Sequence, residues 1–265
     1  MIAATATGRA ALRRGRVRGV GYVMLGTGDP VTVFAHGLAG STAETRPLAA
    51  RLPGRRILLT FRGHGASDPL RGGWSYDDLA DDLAAVAEET GATRALGVSL
   101  GAGALLRLVL RDPSRFDRLA LVLPAALDRR RQDGATARLR ILADAMERDD
   151  VEAVASLLAQ EIPPMLRDEP VVRTLLTRRA RALAGTPPPY PRSEEPPVRR
   201  VTDLHAIAAP SLVVAQKHDP LHPVPVARRL SAHLPAAELL VVPPGGVFWT
   251  ARAQVAAAIA DHLGH

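Results

Sequence analysis

The stretch Arg94-Ala-Leu-Gly-Val-Ser99-Leu-Gly-Ala-Gly-Ala-Leu-Leu-Arg-Leu-Val-Leu110 changes its hydrophobic period in the middle. Arg94 to Val98 is a short apolar run of strand length, and Leu100 to Leu110 has the spacing of a helix. The join reads Gly97-Val98-Ser99-Leu100-Gly101, with Gly103 and Ala104 extending the run of small residues. Where a strand and a helix converge on a tight turn there is no room for side chains two residues to either side, so glycine is required there. A serine at the apex is lifted above the strand end, at the positive end of the following helix. G-x-S-x-G arises by chance in a glycine-rich chain, but between a strand and a helix it points to a nucleophile elbow at Ser99.

The same alternation extends outward from this stretch. Val17 to Leu25, Val31 to Ala35, Ile57 to Thr60, Leu119 to Leu123, Leu212 to Ala215 and Leu239 to Val242 read as strands. Most are Val-, Leu- and Ile-rich without polar alternation, as in parallel strands covered on both faces. Thr42 to Leu52, Tyr76 to Glu89, Pro223 to Leu234 and Thr250 to Leu263 read as helices between them. Strand–helix alternation predicts an α/β fold with a doubly wound, mostly parallel sheet. Residues 129–209 break the rhythm with Arg-rich helical segments (Ala135 to Arg148, Val151 to Gln160, Val171 to Ala184) and the proline runs Pro187–Pro191 and Pro196–Pro197. The expected organisation is a core of residues 1–128 and 210–265, with 129–209 as a helical cap insertion above the C-terminal sheet edge, where open α/β sheets bind ligands.

Composition narrows the function. The chain has 265 residues, no cysteine and a formal charge of +7. Without cysteine there is no disulfide frame, thiolate nucleophile or cysteine-held metal. Lys217 is the one lysine, so 33 of the 34 basic residues are arginine. They are dispersed apart from Arg129–Arg131 and Arg199–Arg200, and with 3% aromatics there is little to stack on bases, so nucleic acid is not expected as a partner. No run approaches the roughly 20 apolar residues of a membrane span. Five arginines precede the first acidic residue, Asp29, but the apolar run of a secretory signal is missing, which predicts a short basic leader on a cytoplasmic protein. No metal cluster or phosphate loop appears, so no cofactor is expected.

Three further motifs accompany Ser99. His36-Gly37-Leu38 follows the strand Val31 to Ala35, and Ser41-Thr-Ala-Glu44 can cap the next helix. Phe61-Arg-Gly-His64-Gly-Ala-Ser67 follows another strand, and Asp219-Pro220 lies just past Leu212 to Ala215. With these residues the sequence resembles the α/β-hydrolase superfamily, in particular its capped esterase- and lactonase-like members, over nearly the whole chain outside the insertion. The resemblance implies a serine nucleophile at Ser99, an oxyanion hole from the Leu38 and Leu100 amides, and Asp219 as the triad acid. Asp128 is a second candidate acid, and His36, Gly37 and His64 are expected near the pocket, with His64 bracing its floor.

One position departs from the resemblance. The triad histidine should stand in the turn before the last helix, and that turn reads Pro243-Pro-Gly-Gly246-Val247-Phe-Trp249. Valine cannot take a proton. Of the eight histidines, His205, His233, His262 and His265 are expected at the surface, leaving His36, His64, His218 and His222. His222 lies three residues past Asp219 in Asp219-Pro-Leu-His222-Pro223, which makes it the first candidate for a substitute base, with His36 second. The expected activity is hydrolysis of an ester, lactone or thioester small-molecule substrate with a non-standard base. The alternatives are a non-hydrolytic member, rearranging or eliminating in the same pocket, and a binding protein without turnover.

Overall fold

The computed structural model describes residues 12–70, 72–129, 134–187, 191–193 and 195–265. The residues before Leu12, most of the Arg129–Arg131 cluster and most of the Pro187–Pro191 run lie outside them. Eight strands form one sheet: β1 (Arg13–Val17), β2 (Val20–Leu25), β3 (Val31–Ala35), β4 (Arg55–Thr60), β5 (Arg94–Val98), β6 (Arg118–Val122), β7 (Ser211–Gln216) and β8 (Ala237–Val242). Their order is β1-β2-β4-β3-β5-β6-β7-β8, antiparallel in the first two pairings and parallel from β4 onward. Six of these strands coincide with the runs expected from the sequence, within a few residues at the ends.

Two expectations are corrected. Val17 to Leu25 is not one strand: the chain reverses at Arg18 (φ 47°) and Gly19 (φ 81°), and the arginines before it form β1, paired with β2. Consecutive left-handed residues give the primed turn whose twist suits a two-residue hairpin. The expected helix Thr42 to Leu52 is α-helical only over α1 (Thr42–Thr45), then loosens into turns. Pro47 lacks the N–H that a continuing helix would need.

The strands are apolar on both sides because both sides are covered. Val33, Ile57, Ala95 and Leu121 belong to the cluster under α2 (Tyr76–Thr90), α3 (Leu100–Arg111) and the helix α7 (Val224–His233). Their neighbours Phe34, Leu58, Leu96 and Val122 belong to a second cluster with Leu48, Leu52 and the last helix, α8 (Arg252–Gly264). This one-by-one division is the period-two geometry of a strand applied to a doubly covered sheet. Ser75 and Asp78 close a reciprocal capping box at the start of α2, and Gly91 (φ 67°) ends it.

Between β6 and β7 the chain forms α4 (Gly134–Glu147), α5 (Val151–Ala159) and α6 (Pro170–Leu183), which share a small cluster of Ala145, Met146, Val154, Leu158 and Ala180. The return strand of chain is tied to the sheet side: the Val198 N–H donates to the Leu127 carbonyl at 3.1 Å, and Arg107 Nη2 donates to the Pro196 carbonyl at 3.0 Å. Arg107 is 8% exposed and also faces Glu195 at 3.3 Å and Asp77 at 3.6 Å. No helix among the described residues is long and apolar enough to cross a membrane. Replacing Arg107 with methionine strands the Pro196 carbonyl while keeping apolar bulk, so the expected loss is about 1–3 kcal/mol, read as a lower urea midpoint at unchanged slope.

Candidate active site

The site is built around one unusual backbone conformation. Ser99 sits at φ 51°, ψ −106°, between β5 and α3. Such a conformation costs a serine about 1–3 kcal/mol and persists only where the surroundings impose it. They do so here. The Ser99 N–H donates to the Val122 carbonyl at 2.9 Å, and the Ser99 carbonyl accepts from Gly103 at 3.1 Å. A β-carbon at Gly101 would stand 2.5 Å from the Ala35 carbonyl oxygen and 2.8 Å from that of His36, and one at Gly97 would overlap the Gly101 carbonyl. The helix start is pressed against β3 as closely as glycine allows.

His222 meets this serine. Its Nε2 lies 2.9 Å from Ser99 Oγ and its Nδ1 2.9 Å from Asp219 Oδ2. The second carboxylate oxygen, Oδ1, accepts from the backbone N–H groups of Leu221 at 2.9 Å and His222 at 3.1 Å, so the loop wraps its own acid. Burial alone would raise the Asp219 pKa, but the His222 hydrogen bond and charge and the two backbone donors outweigh it and hold the carboxyl below its usual range. Since an ionised carboxylate only accepts, Nδ1 carries the imidazole proton, and Nε2 presents a lone pair to the Ser99 hydroxyl. The positioning is local: β7 ends at Gln216, His218 turns the chain at φ 54°, and Pro223 starts α7 directly after His222.

The loop after β3 faces the same serine. Neither the Leu38 nor the Leu100 backbone N–H has a hydrogen-bond partner among the described residues. Two buried histidines brace the loop from below. His36 accepts from the Phe61 N–H at Nε2 (3.1 Å) and contacts the Gly37 carbonyl through Nδ1 (2.7 Å). His64 accepts from the Ala39 N–H at Nε2 (3.3 Å) and faces the Arg62 carbonyl through Nδ1 (3.3 Å). Both patterns require a neutral ring protonated at Nδ1, and the rings pack edge to face at 4.9 Å. Burial, the charge His64 would carry, and against these the Gly37 carbonyl, bring the His36 pKa down to about 3; burial also lowers that of His64.

Other singled-out residues lie elsewhere. Val247 is wholly buried in the cluster of Val98, Val122, Val242 and Ile259, within a π turn (Gly246–Thr250), and its N–H donates to Gln216 Oε1 at 3.2 Å. Its side chain is thus part of the sheet–α8 core, not the wall of an open pocket. Asp128 is clasped by both terminal nitrogens of Arg229 at 2.6 and 2.7 Å. His218 is exposed, His205 stacks on His233 at 5.7 Å, and His262 reaches the Pro210 carbonyl. The sequence reading missed a carboxyl beside the serine: Glu44, considered only as a helix-cap residue, accepts from the Gly37 N–H at 2.6 Å.

Residues 32–259 match the model of the alpha/beta hydrolase family. The chain belongs to that family. Among other α/β hydrolases, it is 29% identical over 251 residues to RutD of Caulobacter segnis, to which a carbamate hydrolase activity is ascribed (88% of this chain, 91% of that protein). It is 27% identical over 229 residues to a pimeloyl-[acyl-carrier protein] methyl ester esterase of Nitrosomonas europaea (82% and 88%). The enol-lactonase of Burkholderia xenovorans superposes with a TM-score of 0.73 at 19% identity, over 96% of this chain and 100% of that one. As an α/β hydrolase the protein is an enzyme of the hydrolase class.

Two outcomes follow from this geometry. Val247→His places an imidazole in an apolar cluster, so it is expected to lower stability by about 1–3 kcal/mol and to leave hydrolytic turnover at or below the wild-type level, measured by denaturant unfolding and a chromogenic ester assay. For His36, the unfolded chain takes up the ring proton near pH 6.5 and the folded chain only near 3, so unfolding is favoured by acid between those values. The stability from a neutral His36 is present above pH 6.5 and drains as pH falls towards 3. The unfolding midpoint should fall over that window in the wild type and change less in His36→Gln.

Proposed function

We propose that this protein is a serine hydrolase of carboxylic esters, lactones or thioesters whose base, His222, comes from the loop after β7. The observation that carries the reading is the continuous contact Asp219–His222–Ser99, 2.9 Å at each step. In this reading the Ser99 Oγ–H proton passes to His222 Nε2 as Oγ bonds to the substrate carbonyl carbon. The carbonyl electron pair moves to oxygen, which lies towards the Leu38 and Leu100 N–H groups. Collapse breaks the bond to the leaving alcohol or thiol, which takes the proton from Nε2 and leaves an acyl group on Ser99. Water then repeats the sequence with the same base and releases the acid. Asp219 holds Nδ1–H throughout and offsets the imidazolium charge, without itself becoming protonated.

Residues 129–209 serve in this reading as the cap. Leu142 and Leu157 of its helices share a small cavity with Leu221, the neighbour of the base. A histidine in contact with Ser99 supports hydrolysis over the non-hydrolytic and purely binding alternatives that the valine at 247 suggests. A small fluorophosphonate probe should label Ser99 at neutral pH, and labelling should vanish in Ser99→Ala. Hydrolysis of a p-nitrophenyl ester should fall by about 10⁶ in Ser99→Ala or His222→Ala and about 10⁴ in Asp219→Asn. Undiminished turnover in His222→Ala would overturn the assignment of the base.

A further inference from the structure

Glu44 occupies a place prepared for it. Its Oε2 accepts the Gly37 N–H at 2.6 Å, so the carboxyl is anchored to the loop that carries Leu38. The point where a β-carbon on Gly37 would sit is 3.4 Å from both carboxyl oxygens and 3.5 Å from Ser99 Cβ, which puts the carboxyl within about 7 Å of the serine. A β-carbon on Gly40 would stand 2.8 Å from Oε2. Gly40 therefore leaves room that this carboxyl fills, while at Gly37 the carboxyl lies at ordinary contact distance.

Among the described residues no guanidinium hydrogen-bonds Glu44, and Oε1 accepts nothing. Arg179, the cation that acts on it from α6, is paired with Glu161 at 3.4 Å, and Arg138 donates to the Leu157 carbonyl at 3.3 Å. A charge on His222 would also act on this carboxyl, lowering its pKa. Burial, the largest effect, raises the Glu44 pKa, against the lowering by Arg179 and the Gly37 N–H.

We propose that Glu44 determines specificity at the Ser99 site, accepting substrates with a hydrogen-bond donor or a positive charge near the scissile carbonyl and rejecting those with a carboxylate there. The proposal rests on the serine-nucleophile reading above. Oε1 is the contacting atom, and the bonus for a cation is Coulombic in a partly desolvated space. A purely structural Glu44 would only brace Gly37, and Glu44→Gln separates the two roles, because the amide oxygen can still accept the Gly37 N–H while the charge is gone.

The test uses three arylboronic acids that form reversible adducts with a nucleophilic serine: phenylboronic acid and its 3-aminomethyl and 3-carboxy derivatives. Inhibition constants against p-nitrophenyl ester hydrolysis should place the aminomethyl compound about tenfold tighter than the carboxy compound in the wild type, with the unsubstituted one between them. In Glu44→Gln the spread should shrink to about twofold, with Glu44→Asp intermediate as a second, charge-retaining variant. A wild type without that preference, or a preference that survives in Glu44→Gln, overturns the proposal. Failure of all three boronates to bind the wild type would instead overturn the serine-nucleophile reading.

Discussion

The close approach of α3 to β3 is the constraint on which the site depends. Gly101 brings the helix start to within contact of the Ala35 and His36 carbonyls, and that proximity, with the backbone bonds to Val122 and Gly103, holds Ser99 in a conformation it would not otherwise adopt. One packing contact thereby fixes two loops at once. The serine stands at the end of β5, and the loop after β3 is brought alongside it, with Gly37 next to the serine. His36 and His64 then lock that loop to the next one through Phe61 and Arg62. The links run from 2.7 to 3.3 Å and require neutral rings, so acid that charges either histidine works against them.

The imidazole in contact with Ser99 does not stand where the resemblance places one. The resemblance places a histidine after β8; the histidine in contact with Ser99 here comes from the loop after β7. The strands β7 and β8 are adjacent and parallel, so their C-terminal loops open onto the same edge. A histidine from either loop has a short path to the serine. Placing it three residues from Asp219 adds a local benefit: the backbone that presents the imidazole also donates to the acid. Val247, where the resemblance expects a histidine, lies in the apolar core, and a histidine there would conflict with packing.

Much of the fold could be read from the chain because it rests on strong local patterns. The runs of β3, β5, β6 and β7 are continuous and apolar, and Gly97 to Gly101 can do little else between a strand and a helix. The hairpin at Arg18-Gly19 was illegible because arginine in a left-handed conformation is rare, and a basic segment reads more readily as a leader than as an edge strand. The spacing in Asp219-Pro-Leu-His222 put a histidine at the right sheet edge, but the reach to Ser99 depends on the turn at His218 and the start of α7. Glu44 was overlooked for a similar reason. At the first turn of a helix a glutamate has a sufficient local explanation, and only the three-dimensional path of residues 37–44 reveals that its carboxyl turns back towards the serine.

The charge distribution gives the arrangement its chemical character. The chain is strongly basic, yet several of its partly buried arginines are committed to structural partners: Arg62 to Asp82, Arg107 to Pro196, Arg229 to Asp128 and Arg94 to the Leu263 carbonyl. Around the serine the anchored charges are instead carboxylates, Asp219 behind the imidazole and Glu44 on the opposite loop. A net positive exterior does not dictate a positive site, because charges that are paired or exposed are screened while a partly buried carboxylate is not. An imidazolium forming at His222 would thus be met by two anions, Asp219 in direct contact and Glu44 at longer range. An acidic substrate would face repulsion from Glu44.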